Sequence, residues 1–296
     1  MKFLLLIVFM FPFLLVANTP ADERPAYPRD ETNYLDGGDL CPKDDPKKYS
    51  HHIVLIDATT PLTTVQLDLI KRLILSEDYL EQMSPWDRLT IMRLYGVAPA
   101  KNLPLFSACR PRTGSPKYHK IDKYSIWTES EKDLKDVYEK LFVEGVNKAL
   151  EEIKNPTLKQ EEITTDGSPI MGQLKEISRL PDLGFTASSG YESRKLTIIS
   201  DFAQNTERLP FYELCPINSK KKCPSWEKFK NDRRYKMWAK MSLPEFGKGA
   251  EINAIFLNSN FDKNLKKGVM EFWDAFFADT GAEFSFDGIE TEYNSS

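Results

Sequence analysis

The stretch HHIVLIDATTPLT, residues 51 to 63, decides the fold that we expect for this chain. Its core, HIVLID at residues 52 to 57, is a short apolar run rich in β-branched side chains, which is typical of a strand buried on both faces of a parallel sheet. The run ends on Asp57, and several threonines follow. A carboxylate and hydroxyls directly after a buried strand indicate either a turn or a metal site.

Strand-like and helix-like segments alternate along the rest of the chain. Apolar residues recur at helical spacing from Leu62 to Leu80, over residues 130 to 154, after Ser168-Pro169 and from Asn264 to Ala278. This alternation predicts an α/β fold, a doubly wound, mostly parallel sheet flanked by helices. The further strand-like runs are DRLTIMRLYG (87 to 96), LPLFSAC (103 to 109), KLTIISD (195 to 201), AEINAIFLN (250 to 258) and AEFSFDG (282 to 288).

The amino terminus has the layout of a secretory signal. Lys2 precedes an uninterrupted apolar stretch from Phe3 to Val16, and Ala17 is followed by polar residues. This stretch is shorter than the roughly 20 residues that span a bilayer, so we predict a cleaved signal peptide over residues 1 to 17. The mature protein is then periplasmic or secreted. The alternative is an uncleaved leader that anchors it to the membrane.

The remaining chain divides into a linker and one folded domain. Residues 18 to 49 are rich in proline, aspartate and charge and show no periodicity, which predicts an extended linker. The domain is expected over residues 50 to 290, with an insertion at 202 to 249 that is longer than a simple crossover. A net charge of -4 argues against a surface devoted to nucleic acid, so no dedicated nucleic-acid domain is expected.

The four cysteines are expected to form two disulfides, because export places them in an oxidising compartment. Cys215 and Cys223 close a short polar loop and are natural partners, which leaves Cys41 to pair with Cys109. Zinc binding is the alternative. No CxxC motif supports it, and the adjacent histidines at 51 and 52 would point to opposite faces of a strand.

Three segments should meet at the carboxyl ends of the strands, where ligands bind in doubly wound sheets. They are DATTP (57 to 61), DGSPIMGQL (166 to 174) and SDFAQNT (200 to 206). Their hydroxyl and carboxylate oxygens suit a hard cation such as Mg²⁺ or Mn²⁺. The alternative is that both aspartates cap loops or helices and that the threonines merely start a helix. The predicted metal ligands are Asp57, Thr59, Ser168 and Asp201.

This arrangement resembles the von Willebrand factor type A (vWA) domain, with its metal-ion-dependent adhesion site, in exported bacterial members of that family. The resemblance covers roughly residues 50 to 285. It implies that Asp57 and Thr59 match the start of an Asp-x-Ser-x-Ser loop, Ser168 a threonine that opens a helix, and Asp201 a later aspartate. Pro61 stands where that loop has its second serine, so one direct hydroxyl ligand is missing.

A cationic segment lies within the insertion. Residues 220 to 240 combine nine lysines and arginines with aromatic side chains, which suggests a surface for an anionic polymer or a lipid headgroup. The alternative is a tethered amphipathic helix whose aromatic side chains pack inward and whose charges are solvated. The candidate partner-binding residues are Lys220, Lys221, Lys222, Arg233 and Arg234.

Catalytic signatures are sparse. His119 has no neighbouring nucleophile pattern, and the chain contains no glycine-rich phosphate-binding loop. We therefore expect a non-enzymatic, exported binding module that recognises a protein partner through the metal site. The alternatives are a metal-assisted hydrolase on a similar sheet and a structural component of an envelope assembly in which the site is vestigial.

Overall fold

A computed structural model gives the fold of the chain. It describes residues 40–41, 49–59, 62–76, 79, 83–94, 104–111, 131–154, 168–181, 183, 185, 190–214, 223–246, 250–257 and 263–287. The predicted signal peptide, most of the linker, Thr60, Pro61, His119, Cys215 and Lys220 to Lys222 lie outside these residues.

The central feature is a six-stranded sheet with the order β3-β2-β1-β4-β7-β8. The strands β1, β2, β4, β7 and β8 pair in parallel, and β3 is antiparallel to β2. The predicted α/β fold with a mostly parallel sheet is therefore confirmed. Strands in this sheet are β1 (Ser50–Asp57), β2 (Arg88–Leu94), β3 (Phe106–Cys109), β4 (Ser193–Ser200), β7 (Ala250–Phe256) and β8 (Glu283–Asp287); a separate hairpin pairs β5 (Asn205–Thr206) with β6 (Leu209–Pro210).

Helices cover both faces of the sheet, as a doubly wound fold requires. One face packs on the helices of residues 64 to 74 and 144 to 154, and the other on the helix directly before β4, on the helix that precedes β8 and on helices of the insertion. The helical elements are α1 (Thr64–Ile74), α2 (Glu131–Val137), a π-helical segment (Tyr138–Val143), α3 (Glu144–Lys154), α4 (Ile170–Arg179), α5 (Phe211–Leu214), α6 (Trp226–Asn231), α7 (Lys236–Ser242) and α8 (Lys263–Ala278).

Two hydrophobic clusters sandwich the sheet, and β1 contributes to both. Ile53 and Leu55 belong to the cluster under α4 and α8, whereas Val54 and Ile56 belong to the cluster under α1 and α3. All four side chains are at most 1% exposed, which explains why β1 is apolar at successive positions rather than at alternate ones. The strand is thereby held rigidly on both faces up to its last residue.

One boundary differs from the prediction. Helix α1 ends at Ile74 rather than near Leu80, with a turn at Leu75 and Ser76. Strand β3 is antiparallel because only the 11 residues from 95 to 105 separate it from β2, fewer than the dozen or more that a parallel crossover needs.

The cysteine prediction is confirmed for one pair. Cys41 is disulfide-bonded to Cys109 at the end of β3, with a sequence separation of 68 residues. Cys223 is disulfide-bonded as well. Its predicted partner Cys215 lies outside the described residues, so that pairing stays a prediction.

The aromatic side chains of the cationic segment point inward. Trp226 and Phe229 are at most 5% exposed and pack in the cluster under α8, where the indole of Trp226 donates to Asp279 at 2.7 Å. These two rings are therefore not available for stacking on a ligand. Arg233 and Arg234 are exposed, and Arg234 is paired with Asp232 at 2.8 Å. Partner binding at this segment remains a prediction that rests on its charges alone.

None of the helices in the described part of the chain is long and apolar enough to cross a membrane.

Helix α1 begins with a capping box at Thr63. The Thr63 hydroxyl accepts the amide of Gln66 at 3.2 Å, and the Gln66 side chain accepts the amide of Thr63 at 2.9 Å. We predict that Thr63→Ala lowers the free energy of unfolding by about 1 kcal/mol, because the amide of Gln66 at the helix start loses its acceptor. Chemical denaturation measures this. Thr64→Ala is the matched control, and an equal loss there would contradict the capping role.

Candidate metal centre

The candidate site lies at the topological switch point of the sheet. From β1 the chain order runs outward to β2 and β3 on one side and to β4, β7 and β8 on the other, so the connections diverge beside the carboxyl end of β1. Ile56 pairs with Ile199, which places Asp57 and Ser200 next to each other on the same face at the ends of β1 and β4. The predicted convergence of these strand ends is present.

Asp57 is the centre of the site. It is 7% exposed, and its Oδ1 accepts the Thr59 hydroxyl at 2.7 Å and the Thr59 amide at 3.1 Å. Its Oδ2 accepts the hydroxyl of Ser200 at 2.7 Å and that of Ser168 at 3.2 Å. Three hydroxyls, from the loop after β1, the loop before α4 and the end of β4, therefore converge on one buried carboxylate.

Ser168 reaches Asp57 because its loop is clamped to the loop after β4. The amide of Ser168 donates to the carbonyl of Asn205 at 2.8 Å, and the amide of Asn205 donates back at 3.1 Å. The side chain of Gln204 accepts the amide of Met171 at 2.8 Å. Since α4 has no side-chain cap of its own, Gln204 supplies the acceptor at its start. These contacts hold the second and third loops in a fixed relation.

Asp201 follows Ser200 directly and is half-buried. Its Oδ1 accepts the amide of Ala203 at 2.9 Å, which shapes the loop after β4. The structure thus brings Asp57, Thr59 and Ser168 into contact, and it places Asp201 in the same loop cluster, one residue beyond Ser200.

Phe202 fixes the path of this loop. Its φ of +55° lies in the left-handed region, which bulky side chains rarely adopt. The fully buried ring packs against Phe256, Trp273 and Phe286, and the indole of Trp273 donates to the Phe202 carbonyl at 2.9 Å. The surrounding core therefore holds a strained residue immediately after the candidate ligand Asp201.

A buried arginine supports the first loop. Arg93 on β2 is 6% exposed, and its Nη2 donates to the carbonyl of Ala58 at 3.2 Å. Ala58 lies between Asp57 and Thr59, so this bond fixes the backbone that presents both side chains. Arg93 was not expected from the sequence, because the site lies one strand away from it.

Ser200 is a site residue that the sequence interpretation missed. It bonds to Asp57 and also accepts the amide of Phe202 at 2.8 Å. The available signal was its place at the end of the KLTIISD run, two residues beyond buried Ile198 and therefore on the same face. Its pairing with Asp57 depended on the strand register, which the sequence does not contain.

Neither aspartate caps a described helix. Asp57 and Asp201 each accept the amide two residues further along the chain, which is an Asx turn, and the cap of α1 is Thr63. The alternative that these carboxylates cap loops or helices is therefore confirmed for the loops, and neither carboxylate caps a described helix. The turn interpretation and the metal interpretation are compatible, because the hydroxyl oxygens of Thr59 and Ser168 donate to Asp57 and keep their lone pairs for a cation.

The donor set fits a hard cation. The hydroxyls of Thr59 and Ser168 give their protons to Asp57, so both lone pairs of each oxygen stay available as ligands. Hydroxyl and carboxylate oxygens, completed by water, are the ligands that Mg²⁺ prefers. Over the described residues there is no group of three or more histidine, cysteine, aspartate or glutamate side chains that could hold a metal. A cation at this site would therefore need hydroxyl ligands in addition to the carboxylates of Asp57 and Asp201.

The comparisons with known proteins assign no family to the chain. No model of a protein family matches it, and none of the curated proteins matches it either. The interpretation of the site therefore rests on its own geometry.

Proposed function

We propose that this chain is an exported, vWA-like binding module whose Asp57 cluster holds Mg²⁺ or Mn²⁺ and presents it to an acidic group of a protein partner. The observation that carries the proposal is the convergence of three hydroxyls on buried Asp57. Thr59 and Ser168 would hold the ion directly, Asp57 would orient their hydroxyls, and Asp201 would add charge. The bound ion would supply an electrophilic position that a partner carboxylate can occupy.

The placement of the cluster supports this proposal. The loops after β1 and β4 and before α4 meet at the switch point, which is where doubly wound sheets bind their ligands. The same three loops carry the resemblance to the vWA adhesion site. The finer assignment to that family rests on these motifs and on the mostly parallel sheet, and not on a family match.

The surroundings of Asp57 favour binding over hydrolysis. Its hydrogen-bond donors are three hydroxyls and an amide, none of which is a base at neutral pH. His51 and His52 lie at the other end of β1, about 20 Å away at ~3.3 Å per residue. In the described part of the chain, Asp201 is the carboxylate beside Asp57, and we assign its charge to the cation. A metal-assisted hydrolase remains the second proposal, tested by the same variants with ester and phosphoester substrates.

Export is part of the proposal as well. The Cys41–Cys109 disulfide supports it, because structural disulfides persist mainly in oxidising compartments. Cleavage of the leader would give a free periplasmic or secreted protein. Retention of the leader would give a protein that is anchored to the membrane. The intact mass of the exported protein distinguishes them.

Calorimetric titration with Mn²⁺ tests the metal site. We expect heat of binding for the wild type, affinity about tenfold lower in Asp201→Ala, and affinity about tenfold higher in Pro61→Ser, which restores a hydroxyl ligand. Asp68→Ala on the exposed side of α1 is the control and should bind as the wild type does. Binding by Pro61→Ser alone would support the vestigial, structural role. No binding by any of them would contradict the proposed function.

A further inference from the structure

A second group of polar side chains lies at the opposite, amino-terminal edge of the sheet. Arg88 on β2, His51 on β1 and Arg194 on β4 are in register across three neighbouring strands. Residues paired in this way project to the same face, with strands about 4.8 Å apart. The ring of Tyr191 lies 4.7 Å from that of His51, and Arg88 donates to the Tyr191 hydroxyl at 3.4 Å. We call this group the basic row.

A chain of hydrogen bonds links the members of the basic row. Arg88 can only donate, and its Nε donates to Ser107 Oγ at 2.9 Å. Ser107 and Thr90 share a hydrogen bond of 2.9 Å in which either hydroxyl can donate, and Thr90 Oγ1 lies 2.8 Å from Nε2 of His51. When Ser107 donates to Thr90 and Thr90 donates to Nε2, the ring proton of neutral His51 is on Nδ1, which is then a donor.

The donors that remain are buried and have no acceptor. His51 is 1% exposed, and within the described part of the chain no hydrogen-bond partner reaches its Nδ1. The same holds for Nε and Nη2 of Arg194, its in-register neighbour. Buried donors are costly unless they are bonded, and a buried guanidinium more so. Three donors on two adjacent side chains therefore lack an acceptor.

Two carboxylates of the neighbouring strands are engaged with other partners. Asp87, which precedes Arg88, accepts the amides of Ser50 at 2.9 Å and Ser84 at 2.6 Å. Glu251 pairs at 2.9 Å with Lys195, whose side chain is on the other face of β4. The basic row thus carries a local excess of positive charge in a protein whose net charge is -4.

We propose that the basic row binds a phosphate-class oxyanion, whose oxygens accept from His51 Nδ1 and from Nε and Nη2 of Arg194. Two adjacent guanidinium donors match the spacing of two oxygens of one phosphate. Arg88 adds charge from the next strand. Tyr191 and Arg194 are the half-buried members of the group, so an anion would enter from their side. The candidate metal centre is at the other edge of the sheet, and the two proposals stand independently.

The ionisation of His51 agrees with this role. Burial, followed by the charges of Arg88, His52 and Arg194, lowers the pKa of His51 to about 3. The ring is therefore neutral at physiological pH and acts as a hydrogen-bond donor without charge. The positive charge that an anion meets comes from the two arginines.

Inorganic phosphate is the probe that tests the site, added to the full chain at constant ionic strength with chloride as the balancing ion. We expect phosphate to raise the melting temperature of the wild type and to bind about tenfold more weakly to Arg194→Gln, which loses one charge-assisted contact. Lys195→Gln removes the same charge from the other face and should bind as the wild type does. General salt effects would act equally on all three proteins. Equal phosphate affinity in Arg194→Gln and the wild type would overturn the proposal.

A second measurement needs no variant. The ¹⁵N resonance of His51 Nδ1, observed in the wild type, should shift on phosphate titration with the same affinity that thermal unfolding gives, because this nitrogen donates to the anion. The Nε2 resonance, which is bonded to Thr90, should shift less. An Nδ1 resonance that does not move at saturating phosphate would contradict the site, even if Arg194→Gln failed to fold.

Discussion

Asp57→Asn is expected to weaken Mn²⁺ binding by about 100-fold, at the upper end of what is lost when a group that orients metal ligands is replaced. The carboxylate accepts hydrogen bonds on both oxygens, from Thr59 on one and from Ser168 and Ser200 on the other. An asparagine amide accepts on one side only and donates on the other. It would therefore turn away at least one hydroxyl that the cation needs, and it also removes a negative charge.

The same substitution should have a modest effect on stability without metal. We expect the free energy of unfolding to fall by about 2 kcal/mol, because hydrogen bonds to a charged group are lost. Calorimetry with Mn²⁺ and denaturation in chelator measure the two effects separately. Asp68→Asn is the matched control on the exposed face of α1. Wild-type affinity in Asp57→Asn would show that the cluster is a structural turn.

Trp273→Ala is expected to lower the free energy of unfolding by about 3–5 kcal/mol, the range for truncating a large buried aromatic side chain. Trp273 is fully buried and packs against Phe202, Phe272, Phe276 and Phe277. It also donates to the carbonyl of Phe202, whose left-handed backbone shapes the loop after β4. Losing this support should weaken Mn²⁺ binding as well as stability.

A control separates loss of stability from loss of the site. Phe142 is fully buried under the other face of the sheet, so Phe142→Ala should cost a similar free energy but leave Mn²⁺ affinity unchanged. Trp273→Phe removes the hydrogen bond from the indole to the Phe202 carbonyl, and this loss should lower the free energy of unfolding by only about 1 kcal/mol in addition to the cost of the smaller ring. The cost is small because the Phe202 carbonyl still accepts the amide of Gln204 at 2.9 Å. If Trp273→Ala binds Mn²⁺ as tightly as Phe142→Ala does, the core does not support the site.

The elements of the fold that depend on local pattern could be predicted from the sequence. The β1 run is apolar at successive positions because both of its faces are covered, and that signature is independent of the rest of the chain. The Cys41–Cys109 pairing followed from the short spacing of the other two cysteines. The antiparallel direction of β3 was not predicted, because it depends on the length of a connection whose ends were uncertain.

The candidate site was predictable in its loops but not in its contacts. Asp57, Thr59 and Ser168 were placed together because strand ends meet at one edge of the sheet. Ser200 was missed because its contact with Asp57 requires the register of β1 against β4, and that register is set by core packing over both faces. The strained backbone of Phe202 has no sequence signature at all, since its conformation is imposed by the aromatic side chains around it.

The most direct test of the metal site is a crystal structure of the protein soaked in Mn²⁺, with anomalous diffraction recorded for the ion. We expect one anomalous peak at the carboxyl ends of β1 and β4. Its distance from Thr59 Oγ1 and from Ser168 Oγ should be ~2.1 Å, the length of a Mg²⁺–oxygen bond. Asp57 should still accept both hydroxyls, and Asp201 should face the ion directly or through water. A soaked crystal with no peak at these oxygens, and with the hydroxyl bonds to Asp57 unchanged, would contradict the account.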